Sequence, residues 1–334
     1  MKIGILGCGA IGGLFLGYLY SKGFDVAGVV RDYQKEPFDR DGLCVEGVRG
    51  SYCYKVSTAA SLKEKVDLAL FATKIADLRQ IIEDNKVYLD GATAVSTQNG
   101  IEADHILKEY FPSSRIITSI VMFGATFYPP NKVVHNFEGN LILGNIFGSE
   151  VGSFDEIEEV LRTAFQVERD PDIKGAKYLK VFINLNNCIP AILGLSMQET
   201  FADLDTAKLA IELNREAYRV VSQSGIELAS LPTYPKERLA GLVTMDTEES
   251  AKILSKVMTS LSDKPLYGSI LQSIKRGKKS EIDYINGHIL TLARKSGLTA
   301  SLNEKIVDLV HKVEETGRFL DRKELLKYYE VSKA

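Results

Sequence analysis

A lysine and an asparagine one helical turn apart, Lys180 and Asn184, are the residues of this chain best suited to acting together on a carbonyl compound. A cationic amine can hand a proton to a ketone oxygen as negative charge develops there, while an amide one turn along holds another polar group of the same molecule. Residues 175–192 read as one helix whose apolar pattern is broken by Lys180, Asn184, Asn186 and Asn187. Buried amides need partners, so their density in a helix interior points towards function. At about 100° per residue, Asn184 stands about 40° and Asn187 about −20° from Lys180, which puts all three on one face. Asn186 points away, and Cys188, about 80° round, falls at the margin. The structural alternative is that Lys180 snorkels to water and the asparagines bridge neighbouring helices.

The second group with chemical meaning is Gly7-Cys8-Gly9-Ala10-Ile11-Gly12, which follows an apolar strand over residues 2–6 and opens a helix that runs to Ser21. In strand, turn and helix order, Gly7 permits the tight turn, Gly9 lets a pyrophosphate approach the backbone, and Gly12 lets the helix pack on the strand. Dinucleotide binding is the reading, with a phosphate-free turn as the alternative. Past a second strand over residues 25–30 stands Arg31, where an acid would grip a ribose 2′-hydroxyl; arginine there favours a 2′-phosphate and hence NADP(H). Asp32 follows and keeps NAD(H) open, and a solvated surface charge is the bland account of Arg31.

Further strands are expected over residues 66–73, 93–97 and 116–122, with helices over 75–85 and 103–110 between them, an alternation that makes a parallel, doubly wound α/β sheet. Ligands lie at the carboxyl ends of strands in such sheets, where Lys74 and Gln98-Asn99-Gly100 fall. Lys74 would reach the ribose or nicotinamide end of the cofactor, and Asn99 would position cofactor or substrate; a helix-start lysine and a plain turn are the alternatives. Segments 132–134 and 141–143 look like a hairpin pair appended to the sheet. Beyond residue 170 strand signals nearly vanish, and helices are expected over 175–192, 204–224, 251–261, 280–295 and 303–315. The expected division is therefore an α/β dinucleotide-binding domain over 1–170 and an all-α domain over 171–334.

With 334 residues the chain is long enough for two cores. Its 41 basic and 44 acidic residues, a net charge of −3 and no long basic run argue against nucleic acid as a partner. No uncharged apolar run is long enough to span a bilayer, and the glycine-interrupted N-terminus reads as a strand rather than a signal peptide. Cys8, Cys44, Cys53 and Cys188 lack metal-ligand spacing and read as reduced thiols of a cytoplasmic protein, while the four scattered histidines give no metal site.

Taken together, Gly7-Cys8-Gly9-Ala10-Ile11-Gly12, Thr73-Lys74, Gln98-Asn99-Gly100, Lys180 with Asn184, Gly268-Ser269-Ile270-Leu271-Gln272 and Glu281-Ile282-Asp283-Tyr284-Ile285-Asn286-Gly287 resemble the ketopantoate reductase (2-dehydropantoate 2-reductase) family over most of the chain. The resemblance implies an N-terminal Rossmann domain and a helical C-terminal domain, with NADPH and a 2-keto acid bound in the cleft between them. It implies Lys180 as general acid, Asn184 on a substrate hydroxyl, Ser269 on the carboxylate, and Glu281 orienting Lys180 or the substrate and standing beside the cofactor. One departure is Cys188, where the family usually places a second asparagine; the amide of Asn187 is the candidate to replace it, and a less polar 2-keto acid is the other consequence. The function expected is NADPH-dependent reduction of ketopantoate in pantothenate and coenzyme A synthesis. The alternatives are a relative reducing another 2-keto acid and a non-catalytic NADP(H)-binding protein. A homodimer is the expected assembly. The charged tail to Ala334 reads as an oligomer contact or a frayed helix.

Overall fold

The computed structural model describes residues 1–330, and the chain divides into two compact units between Lys174 and Gly175. In the first unit, short β-branched and apolar runs form β1 (Lys2–Leu6), β2 (Asp25–Val29), β3 (Leu43–Gly47), β4 (Tyr52–Tyr54), β5 (Ser57–Ala59) and β6 (Leu68–Phe71). They continue as β7 (Thr93–Ser96), β8 (Ile116–Val121), β9 (Gly124–Tyr128), β10 (Lys132–Phe137), β11 (Asn140–Gly144) and β12 (Gln166–Arg169). Between them lie α1 (Ala10–Ser21), α2 (Asp32–Asp41), α3 (Ile75–Asn85), α4 (Glu102–Tyr110) and α5 (Phe154–Arg162).

Eight strands make the main sheet in the order β12-β11-β8-β7-β6-β1-β2-β5. Its pairs are parallel except β11 against β8. The central strands β6 and β7 are buried at every position, as expected when helices cover both faces. Phe15 of α1 anchors the core, 4.7 Å from the ring of Phe165 and 6.1 Å from that of Phe123.

The appended hairpin of the sequence reading is not what forms. β10 leaves the main sheet for a second, four-stranded one in the order β4-β3-β10-β9, while β11 stays behind, antiparallel to β8. Alternation marks a strand without naming its partner, and β10 pairs in parallel with β3, far away in sequence. The expectation of four reduced thiols also fails. Cys44 and Cys53 face each other across β3 and β4 and form a disulfide, whereas Cys8 and Cys188 are free and buried.

The second unit is helical: α6 (Ile173–Leu185, beginning just before the boundary), α7 (Cys188–Leu193), α8 (Met197–Phe201), α9 (Leu204–Gln223), α10 (Lys236–Thr244), α11 (Thr247–Thr259), α12 (Ser269–Lys275), α13 (Ile282–Lys295), α14 (Ser301–Thr316) and α15 (Arg322–Glu330). In its described part the charged tail forms the helix α15 and packs within its own chain. Leu320 N–H donates to Ile192 O at 3.0 Å, Leu325 of α15 is fully buried, and the helix packs on α7 and α9. Residues 331–334 lie outside the described part of the chain. Among the described residues no helix is long and apolar enough to cross a membrane.

Candidate functional site

In the first unit, four of the residue groups singled out by sequence gather at the carboxyl ends of β1, β2, β6 and β7. Leu6, Val29 and Phe71 are in register, so the chain leaving each strand emerges at the same edge. Gly7 has φ +101°, and a Cβ there would lie 2.7 Å from Thr73 N, so the glycine turn and the Thr73-Lys74 turn touch backbone to backbone. A Cβ on Gly12 would collide with the Gly7 carbonyl oxygen. At Gly9, by contrast, it would meet nothing within 4 Å. Protein packing therefore explains Gly7 and Gly12 but leaves Gly9 beside open space, as a ligand approaching the backbone requires.

The amides of Gly7 and Cys8 are spent on Val29 O at 3.2 and 3.3 Å, and Gly13 N–H is the one that closes on Gly9 O at 2.9 Å. Ala10, Ile11 and Gly12 thus present their N–H groups at the open helix end, with no acidic side chain in that first turn. This arrangement fits a pyrophosphate. Burial pushes the Cys8 thiol pKa up, so that side chain is a filler.

Arg31 caps α2 directly beyond the end of β2, with its own N–H taken by Gln34 Oε1 at 3.1 Å. Its guanidinium donates to Asp77 Oδ2 at 2.9 Å, a partner the sequence did not announce although Asp77 lies only three residues past Lys74. Lys74 is exposed at the cap of α3. Gln98 Nε2 donates to Thr73 O at 3.1 Å and Thr97 Oγ1 to Phe71 O at 2.8 Å, which fixes half-buried Asn99 at the same edge.

In the helical unit, the single helix expected over 175–192 is broken. α6 stops at Leu185 and α7 restarts at Cys188, so the angles of a straight helix do not apply beyond the break. Pro190, four residues past Asn186, has no N–H to continue the helix there, and the Asn186 side chain is held at the break by Asn214 Nδ2 of α9, which donates to its Oδ1 at 2.8 Å in a buried setting. Asn187 caps α7, and its Nδ2 reaches Asn184 Oδ1 at 3.4 Å, so these two amides share a place, both half-buried. Gly268 lies against Asn187; a Cβ there would stand 3.1 Å from Asn187 Cγ. Ser269 follows as the first residue of α12 and is half-buried.

Lys180, also half-buried, projects from the same helix as Asn184. Loss of solvent around its ammonium is the cause that pushes its pKa down to about 8. Glu281 is buried and caps α13, which begins at Ile282 rather than at Ser280. Ser280 supplies Oγ to Ile282 N–H at 3.2 Å, and its own N–H goes to Glu314 Oε1 at 2.7 Å.

Cys188 is fully buried, donates to Leu185 O at 3.0 Å and receives Asn286 Nδ2 at 3.7 Å. Asn286 in turn donates to Asn303 Oδ1 at 3.1 Å, and Asn303 to Glu216 Oε2 at 2.9 Å. Cys188 therefore belongs to an interior polar chain that ties α6, α7, α9, α13 and α14 together, apart from the half-buried amide pair. Among the described residues no cluster of His, Cys, Asp and Glu could hold a metal ion.

Two family models match: ketopantoate reductase PanE/ApbA over residues 3–148, and the ketopantoate reductase PanE/ApbA C-terminal model over residues 172–314. The 2-dehydropantoate 2-reductase of Pyrococcus horikoshii is 29% identical over 319 residues, covering 95% of this chain and 99% of its own. That of Archaeoglobus fulgidus is 25% identical, covering 94% and 98%. Among solved structures, a D-mandelate dehydrogenase bound to NADH and anilino(oxo)acetate superposes with a TM-score of 0.81 at 22% identity, covering 95% and 99%. A PanE/ApbA family ketopantoate reductase from Ralstonia eutropha superposes with 0.80 at 23%, covering 94% and 99%.

Proposed function

Because the chain belongs to the ketopantoate reductase family, we propose that it reduces 2-dehydropantoate to pantoate with NADPH, a step in pantothenate and coenzyme A synthesis. The observation that carries this reading is Lys180, a desolvated ammonium with a pKa near 8 on the helix that also bears Asn184. NADPH, when bound, supplies the hydride.

Lys180 donates a proton to the ketone oxygen, and a lowered pKa makes that donation easier near neutral pH. Asn184 and Asn187 hold a substrate hydroxyl between them, in the place of their long mutual bond. Ser269 takes the carboxylate, helped by its position in the first turn of α12. Glu281, buried at the cap of α13, orients Lys180 or the substrate. The open N-terminus of α1, from Gly7 to Gly12, holds the pyrophosphate, Arg31 the 2′-phosphate, Lys74 the ribose or nicotinamide end, and Asn99 positions cofactor or substrate. The assembly proposed is a homodimer and the location the cytoplasm; the Cys44–Cys53 disulfide is the one feature that runs against that location.

The test is substrate profiling by loss of reduced-nicotinamide absorbance, using ketopantoate and a series of 2-keto acids with less polar tails. A kcat/KM highest for ketopantoate with NADPH supports the reading. A higher value for another keto acid transfers the chain to a different substrate, and binding of nucleotide with no turnover of any keto acid refutes catalysis.

A further inference from the structure

We infer that Asp77 tempers the preference of this chain for a 2′-phosphorylated cofactor, by engaging the Arg31 guanidinium that would otherwise be free for a 2′-phosphate. The inference rests on the nucleotide-binding reading of the glycine turn and goes beyond it to a residue that touches neither the pyrophosphate loop nor the substrate helix.

Arg31 has its backbone fixed, as the cap of α2 with its N–H on Gln34 Oε1, so only its side chain can move. That side chain makes a charge-assisted bond, Nη2 to Asp77 Oδ2 at 2.9 Å, which uses only part of its five-donor fork. Asp77 stands in the first turn of α3 with its N–H on Lys74 O at 3.0 Å, so the turn that follows β6 holds its carboxylate against the guanidinium that follows β2. A 2′-phosphate approaching Arg31 must displace this carboxylate or share the guanidinium with it, and like charge makes sharing unfavourable. The uncharged 2′-hydroxyl of NADH makes no such demand and leaves the pair intact.

Geometry also sets the size of the effect. Both side chains are about half exposed, 54% for Arg31 and 50% for Asp77, so the pair is screened by water and exchange is cheap. Exposed pairs of this kind are worth a factor of about two to five in an equilibrium constant. Asp77 therefore tempers the NADPH preference without abolishing it, and Asn at this position would sharpen it.

The experiment measures dissociation constants for NADP+ and NAD+ with the full chain, as wild type, Asp77→Asn, Arg31→Ala and the double variant, with melting temperatures as a folding control. The expected result is a ratio of NAD+ to NADP+ dissociation constants that rises about two- to fivefold in Asp77→Asn. With Arg31→Ala in the background, less than half of that rise remains. An unchanged ratio in Asp77→Asn, or a rise of the same size without Arg31, overturns the inference and leaves the proposed function standing. Failure of both nucleotides to bind the wild type overturns the two together.

Discussion

Asn187 Nδ2 donates to Asn184 Oδ1 at 3.4 Å across the break between α6 and α7, a bond too long to be strong and thus easily exchanged for a ligand's hydroxyl. Each amide should then contribute one hydrogen bond to the substrate. Asn184→Ala and Asn187→Ala are each expected to raise KM for the keto acid about two- to tenfold with little change in melting temperature. Steady-state kinetics on the two variants checks this; a KM unmoved by Asn187→Ala would remove that residue from the site.

Gly268 is the residue that keeps Asn187 in place from the other side. A methyl group there would stand 3.1 Å from the Asn187 amide carbon, tighter than ordinary contact, so the amide must give way. Gly268→Ala should raise KM about as much as Asn187→Ala does, and the double variant should be no worse than either alone. Additive losses in that cycle would show that the two residues act separately.

How much of this was legible in the residues follows from the range of the interactions involved. The glycine turn could be read because its constraints are local: Gly7 against Thr73, Gly12 against Gly7. Arg31 could be placed by counting from the second strand. The break at Asn186 was legible too, since Pro190 four residues on has no N–H for the Asn186 carbonyl; what could not be read is the partner of the Asn186 side chain, Asn214, 28 residues away on another helix. The same limit hid Asp77 as the partner of Arg31, 46 residues on, and misassigned β10, whose parallel neighbour β3 lies across the intervening sheet strands in sequence. Lys180 was legible as chemistry, but its lowered pKa depends on surrounding helices that no spacing reveals.

Cys188 gives a prediction in the opposite sense from its sequence reading. As a buried member of the Leu185, Asn286 and Asn303 network, it has no surface to offer a substrate. Cys188→Ala should cost about 1 kcal/mol of stability and leave the ranking of keto acids as it was. Thermal melts together with the keto acid series decide it, and a reordered ranking would make the residue a determinant of specificity after all.

Gly9 and Gly12 should separate binding from folding. Gly9→Ala adds a methyl group to open space, so the fold should persist while nucleotide affinity drops about tenfold through the loss of close approach. Gly12→Ala collides with backbone and should lower the melting temperature. Calorimetric titration and thermal melts on both variants test the contrast; equal melting losses would contradict it.

Lys180 carries a second, thermodynamic consequence. Its pKa near 8 in the folded chain lies below the ordinary 10.5, so at pH values between the two the unfolded chain binds more protons than the folded one. Stability should therefore rise with pH across that window, and the penalty of the desolvated ammonium is fully present below it. Lys180→Met should melt higher than wild type at pH 7, with the difference shrinking as the pH passes 8 towards 10.5.

The most direct test of Lys180 as proton donor is the pH profile of kcat/KM for ketopantoate reduction by NADPH, in the wild type and in Lys180→Ala. The account predicts a wild-type profile that is flat at lower pH and falls tenfold per unit above about 8, as the donor loses its proton. In Lys180→Ala, turnover should be lower by a factor of about 100 to 10,000 and the descending limb should vanish. A variant that keeps near-wild-type turnover, or that keeps the same limb, would contradict it.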